Sequence, residues 1–427
     1  MKRRAIEFFK DVLIVVLVVA ILILTIMALP TETLASTPWL AAVLRPFAGM
    51  FGMSQAELTY TQKAVPALDA AQPLAISMKN SAGRYSCQYD FSTLDSVYET
   101  LGSILAQALD TASAPAETTR SRLYAAIEAQ SVTLRYPANV PVDVLSSWLG
   151  VQTQTLADIS AELLVLSIQD GGVRLYLMGN DSFVAQTQVS ADTLLSLLDS
   201  YRPDGSFFAF EDGSGLYQSA APLSLIGTLA PEILATTAQN PCDSRFITAL
   251  ATQMGFNPYG DTSYTDSVGN AFFSETGCSL RISAAGELLF ESSSDTRFSV
   301  PSQTASSMIE MARSLLEQLT VSAGGSARLY LTEFTQTDDG AYCAFDYILN
   351  GVSILQQQGA AHGASVTFTG STITELTLQL RTYTLSSQTL SVMPAAQAAA
   401  IVKPGTLLRI CYDDAGTGEL SAGWRAE

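Results

Sequence analysis

The sequence predicts an α+β fold behind a single N-terminal transmembrane helix, with two extracytoplasmic lobes that each combine antiparallel sheet and helices. Three observations lead there. An uncharged apolar run of 18 residues, Val12 to Leu29, stands near the start. Beyond it, apolar residues recur at helical spacing in some stretches and at strand spacing in others, with Gly and Asp turn signals between. Hydrophobic residues make up 48% of the 427, enough for the remainder to build cores instead of staying disordered.

As a helix rising ~1.5 Å per residue, residues 12–29 reach about 27 Å, close to the ~30 Å of a hydrocarbon core. Lys2, Arg3, Arg4 and Lys10 precede the run and Arg45 is the first basic residue after it. Basic flanks stay in the cytoplasm, which makes 1–11 a cytoplasmic tail and places the bulk of the chain outside the cell membrane. The competing reading is a secretory signal peptide cut near Thr33-Leu34-Ala35; a run longer than the ~7 to 15 residues of a signal core favours the uncleaved anchor. Leu13, Leu17, Ala20, Leu24 and Ala28 share one helical face, and the small Ala20 and Ala28 permit close approach of another helix. That face is a candidate partner-binding surface, against the plainer reading of a simple anchor.

Residues 30–73 read as a juxtamembrane segment and linker. Trp39, Phe47 and Phe51 belong at headgroup level or against a partner's juxtamembrane segment. Thr59 to Pro73 is polar and punctuated by Pro66 and Pro73, as linkers are.

The first lobe spans 74–229. Leu94, Val97, Leu101, Ile104, Leu105 and Ala108 mark one face of an amphipathic helix. A second helix, Thr118 to Ala129, leads into a strand, Ser131 to Tyr136, closed by Pro137; Pro141 then opens a short helix, Val142 to Leu149. Ala161 to Ile168 and Val173 to Met178 read as a hairpin joined by Asp170-Gly171-Gly172, because glycine tolerates the positive φ of tight turns.

The second lobe spans 241–427. Phe246, Leu250 and Met254 form a stripe ended by Gly255, and short strands follow at Ala271 to Phe273, Ser279 to Ile282 and Glu287 to Glu291. Met308, Ala312, Leu315, Leu316 and Leu319 predict a long amphipathic helix stopped by Gly324-Gly325. Next comes a meander: Ala327 to Thr335, Tyr342 to Leu349, Val352 to Leu355, Ser365 to Thr369 and one long strand, Ile373 to Leu385. Turns at Asp338-Asp339-Gly340 and Asn350-Gly351 separate the first three. A helix, Pro394 to Val402, and a strand, Leu407 to Tyr412, close the chain.

Charge restricts the partners. Net charge is −18, and beyond the cytoplasmic tail 18 basic residues face 38 acidic ones. Such a surface repels nucleic acid, whose binding depends on phosphate neutralisation, and disfavours anionic polymers and lipid headgroups. A protein partner or a cationic ligand fits better.

The search for chemistry assigns no catalytic, cofactor-binding or metal residue. The single histidine, His362 in the loop GAAHGA, is expected to be a solvated loop residue. One histidine rules out HExxH and His-rich metal sites. A Ser-His-Asp triad has no accompanying GxSxG elbow. No SxxK is formed at Lys63, Lys79 or Lys403, which follow Tyr60, Ile76 and Ala400 by three residues, and there is no GxxxxGK[ST] loop. Asp413, Asp414 and Glu419 lack EF-hand spacing and are expected to be exposed turn acids. Five cysteines, Cys87, Cys242, Cys278, Cys343 and Cys411, form no CxxC pair and no dense framework, so no bridge is assigned and buried free thiols are equally compatible.

Several stretches together resemble the YycH family, membrane-anchored extracytoplasmic regulators of the WalK/WalR (YycG/YycF) cell-wall two-component system of low-GC Gram-positive bacteria. The resemblance lies in the basic N-terminus, single span and large exported region, and in SVTLRYPANVPVDVLSSWLG from Ser131 to Gly150. It continues from Phe246 through Met254-Gly255-Phe256, Ala271-Phe272-Phe273-Ser274-Glu275, Ser279-Leu280-Arg281-Ile282 and Gly286 to Phe290. The closing lobe adds Phe345 to Gly351, Leu376 to Arg381, Gln397-Ala398, Ile410-Cys411-Tyr412 and Trp424. That lobe also resembles YycI, the shorter companion protein. Low Lys and Arg content, five cysteines and many Ala and Ser depart from the family pattern. The resemblance implies a non-enzymatic regulator that binds a sensor histidine kinase and a YycI-type single-span companion, partly through the membrane spans. The alternatives are a cell-surface ligand-binding or adhesive module without a kinase partner, and a wall-active hydrolase using unrecognised carboxylates.

Overall fold

Alternation sets up the first sheet. The computed structural model describes residues 68–426 except 229, 322, 324 and 357–360. In chain order come β1 (Ala75–Lys79), β2 (Arg84–Gln88), α1 (Phe91–Asp110), β3 (Ala116–Glu117), α2 (Arg120–Glu128), β4 (Ser131–Pro141), α3 (Val142–Trp148), β5 (Ser160–Gln169), β6 (Gly172–Met178), β7 (Ser182–Gln186) and α4 (Ala191–Asp199). The seven strands lie in the order β2-β1-β4-β5-β6-β7-β3, antiparallel throughout. Register aligns Ile76, Leu134, Leu164 and Leu177 in one buried cross-strand row. On the opposite face Ala75, Leu163, Val165 and Tyr176 pack with Leu123, Ala126 and Ile127 of α2. Successive strand residues face opposite ways, so the unbroken Leu163-Leu164-Val165-Leu166 reports a strand buried on both sides.

A small ribbon, β8 (Phe207–Phe208) with β9 (Leu225–Ile226), covers the α2 face. Then follow β10 (Ile233–Gln239), α5 (Ser244–Gln253), β11 (Ser263–Thr265), β12 (Ala271–Glu275), β13 (Cys278–Ile282), β14 (Glu287–Ser292), α6 (Ala305–Val321), β15 (Arg328–Thr337), β16 (Gly340–Leu349), β17 (Val352–Gln356), β18 (Ala364–Thr369), β19 (Thr372–Gln379), β20 (Thr382–Leu390), α7 (Ala395–Ile401), β21 (Leu408–Asp414) and β22 (Ser421–Ala426). The large sheet runs β11-β12-β13-β14-β19-β18-β16-β17-β21-β22, with β15 also on β16, while β10 and β20 form a separate ribbon. Helix α6 buries Met308, Ile309, Ala312, Leu315, Leu316 and Leu319 and packs on β15, β16 and β18. Both sheets belong to one compact unit of the chain, with β4 alongside β15 and α3 against α6.

Most of the expected elements are present, and five differences have physical causes. Strand β4 continues past Pro137 to Pro141, because the register slips between Arg135 and Val140 and the proline sits where no ladder bond is needed. The long strand Ile373 to Leu385 is two strands: β19 pairs with β14 and β18, the chain turns at Leu380 and Arg381, and β20 pairs with β10. No Gly or Pro marks that break. The pairing of β17 with β21 is parallel. Helix α4, the β1–β2 hairpin, β3, β7, β8, β9, β10, β11 and β22 are additional to the sequence expectation. Lastly, the end of the expected linker is not solvated: Ala71 and Gln72 are buried. The expected membrane span lies outside the described residues, among which no helix is long and apolar enough to cross a membrane.

Candidate functional site

The buried stretch 71–74 crosses the junction of the two sheets and is held by both. The Ala71 carbonyl accepts hydrogen bonds from Tyr98 Oη (2.7 Å) and Tyr136 Oη (3.0 Å), on α1 and β4. Gln72 Oε1 accepts from Arg328 Nη1 (2.8 Å) on β15, and its Nε2 donates to Asp95 Oδ1 (2.5 Å) on α1. The Arg328 guanidinium lies 4.9 Å from the centroid of the Phe91 ring, which itself stacks on Tyr330. Two more contacts complete the junction. Trp148 Nε1 donates to Glu310 Oε2 (3.0 Å), and Asn350 Oδ1 accepts from Phe91 N (2.7 Å).

Beside this strap opens a cavity of about 320 Å³. Helix α6 contributes Arg313, Leu316 and Glu317 to its wall, β15 contributes Arg328 and Tyr330, and β16 contributes Phe345 and Tyr347. Arg381 and Tyr383 also line it, as do Asp69 and Ala70 just ahead of the strap. The aromatic groups are fixed: Tyr347 Oη donates to Gln379 O (2.8 Å), and the Tyr347 and Tyr383 rings meet edge to face at 5.3 Å. Burial pushes the Tyr330, Tyr347 and Tyr383 hydroxyls well above the usual phenol value, so all three are neutral donors.

The charged groups of the wall are oriented by partners. Arg381 Nε and Nη2 fork onto Asp414 (2.9 and 2.8 Å), and Tyr383 Oη reaches the same carboxylate (3.0 Å). Arg313 spans Glu310 and Glu317 with three hydrogen bonds of 2.7 to 2.9 Å. Burial would lower the Arg313 and Arg381 values, but these bonds outweigh it and raise both. The chemistry available is recognition, by aromatic surface and by charges of both signs.

Several residues singled out from sequence sit elsewhere than expected. His362 is half-buried, not solvated: Nδ1 is 3.1 Å from Asp346 Oδ2, Nε2 is 3.6 Å from Glu333 Oε2, and Gly363 N donates to Asp346 Oδ1 (2.9 Å). Asp413 and Asp414 are strand residues of β21, not exposed turn acids; Asp413 pairs with Arg425, and Asp414 is 4% exposed. All five cysteines are free, four of them buried. Burial pushes the Cys87 and Cys343 thiols up to about 12 and Cys242 up to about 11. Leu13, Leu17, Ala20, Leu24, Ala28, Trp39, Phe47 and Phe51 lie outside the described residues. Sequence reasoning missed the cavity, though an Arg inside the apolar run Leu378-Gln379-Leu380-Arg381 was a usable signal of a paired interior charge.

These features define an α+β protein in which a seven-stranded antiparallel sheet and a larger mixed sheet share a junction, a strap and an aromatic cavity. No family model matches the sequence, and no curated protein sequence matches it. Among solved structures the fold is similar to the crystal structure of YycH from Bacillus subtilis, with a TM-score of 0.53 and 10% identity, covering 84% of this chain and 95% of that one. The likeness is one of fold, and the chain has a YycH-like fold.

Proposed function

We propose that this chain is a membrane-anchored, non-enzymatic regulatory protein that acts outside the cell membrane by binding a sensor histidine kinase of a cell-wall two-component system. The observation that carries the reading is the YycH-like fold, which extends over nearly the whole of the YycH structure. The uncharged run 12–29 behind a basic tail supports anchoring with the N-terminus in the cytoplasm. A YycI-type single-span protein is the proposed companion. A regulator of this kind acts by binding one state of a two-state kinase better than the other. The span face formed by Leu13, Leu17, Ala20, Leu24 and Ala28 supplies part of the contact, with Trp39, Phe47 and Phe51 beside it.

The test is affinity capture in mild detergent of the full-length chain beside a version carrying an unrelated span. A kinase or single-span companion captured by the first and lost from the second supports the reading. Capture of neither overturns it. Ala20→Ile with Ala28→Ile is expected to weaken capture; unchanged association would remove the helix face from the interface. The cavity favours a second reading, a cell-surface ligand-binding module, in which the extracytoplasmic part binds its ligand unaided.

A further inference from the structure

We propose that the cavity between α6, β15, β16 and the start of β20 binds a small zwitterion, an amino acid or dipeptide carrying an apolar side chain. The inference stands whether or not the kinase reading holds. Its volume, about 320 Å³, falls within the ~300–1,000 Å³ typical of small-molecule pockets. Tyr330, Phe345 and Tyr347 line it with no more than 5% of their surface exposed, their rings held in place by packing and by the Tyr347 hydrogen bond, and Leu329 and the exposed Val321 add apolar wall. Such a surface suits an apolar side chain.

The charges then decide the class. Arg381 spends Nε and Nη2 on Asp414, and Arg328 spends Nη1 on Gln72 with Nη2 3.7 Å from Asp95, beyond hydrogen-bond reach. Arg328 also meets the Tyr330 hydroxyl and Arg381 the Tyr383 hydroxyl, and each guanidinium still keeps N–H groups for a carboxylate. Asp69 and Glu317 bring the opposite sign to the same cavity, and Glu317 engages Arg313 through Oε2, leaving Oε1 for an ammonium. A simple anion would face two carboxylates, and a simple cation would face the guanidiniums. One molecule carrying both charges meets each with its complement, and the aromatic surface takes what lies between.

The experiment is thermal unfolding of the full-length chain in detergent with L-phenylalanine, L-leucine or L-alanyl-L-phenylalanine, beside N-acetyl-L-alanyl-L-phenylalaninamide and inorganic phosphate. At least one zwitterion is expected to raise the midpoint saturably, as any ligand of the native state does, with no comparable rise from the blocked peptide or phosphate. Glu317→Gln, at a largely exposed side chain, is expected to weaken the apparent affinity about tenfold. Ala327→Trp fills the cavity and is expected to abolish the shift, with far-ultraviolet circular dichroism checking that the variant folds; loss or weakening in either variant supports the site. Three results would overturn the proposal: no zwitterion raises the midpoint, phosphate or the blocked peptide does so equally, or both substitutions leave the shift intact.

Discussion

Asp414 shows how far a single residue departs from what its neighbours in sequence suggest. In the run Asp413-Asp414-Ala415-Gly416 it reads as a turn acid, yet it is 4% exposed and receives the Arg381 fork, the Tyr383 hydroxyl and the Gly416 N–H. Burial alone would raise its carboxyl, but the bonds from Arg381 and Gly416 outweigh it and hold the value below the ordinary aspartate range. A depressed folded value stabilises the protein above the unfolded value, and that stabilisation is lost as pH falls through the folded one. Asp414→Asn leaves a buried guanidinium without its counterion and is expected to cost about 3 kcal/mol near pH 7. The gap between wild type and variant, measured as urea midpoints, should narrow as pH drops below about 4. A gap independent of pH would show that the charge of Asp414 is not what stabilises the site. The partner, Arg381, lies 33 positions away in sequence, which is why spacing could not reveal the pair.

Elements with strong local signals were legible. The stripe of α6, the Asp170-Gly171 hairpin and the Asn350-Gly351 hairpin all form, with Asp170, Gly171, Asn350 and Gly351 at positive φ as two-residue turns require. Where sequence reading failed, tertiary pairing had decided: β19 and β20 share one uninterrupted strand pattern, and only their different partners separate them. The Asn350 turn has a second role that no hairpin signal announces. Its Oδ1 accepts from Phe91 N (2.7 Å) at the start of α1, and its Nδ2 donates to Tyr89 O (3.2 Å). The turn thus satisfies one of the free N–H groups of a helix belonging to the other sheet. Asn350→Gly keeps the turn geometry and removes both bonds, so it is expected to destabilise by about 1–2 kcal/mol. Asn350→Ala adds strain at positive φ and should cost more. No loss in Asn350→Gly, read from chemical denaturation, would show that the docking bonds contribute nothing.

At the scale of the whole molecule the question is whether two sheets with separate cores behave as one body. The apolar patterning that made each half legible, and that carried the resemblance to YycH later matched in fold at 10% identity, says nothing about the junction. The junction is built from side chains distant in sequence: Trp148 with Glu310, Asn350 with Phe91, Arg328 with Gln72. Strand β4 lies beside β15, and α3 against α6, so separating the halves would expose Ala71 and Gln72 and strand the Arg328 guanidinium. Each junction hydrogen bond exchanged for water costs about 0.5–1.5 kcal/mol net, and with the apolar area exposed this ties the halves together. Unfolding is therefore expected to be a single transition, with the near-ultraviolet signal of the aromatic side chains and the far-ultraviolet signal of the sheets coinciding. Trp148→Phe combined with Gln72→Ala removes the Trp148–Glu310 and Gln72–Arg328 bonds across the junction with a small loss of packing at Trp148, and should split that transition in two. If wild type already shows two separate transitions, the halves are independent and the strap is only a connection. If the double variant still unfolds in one step at a midpoint unchanged from wild type, cohesion resides in the β4–β15 and α3–α6 contacts and not in the strap.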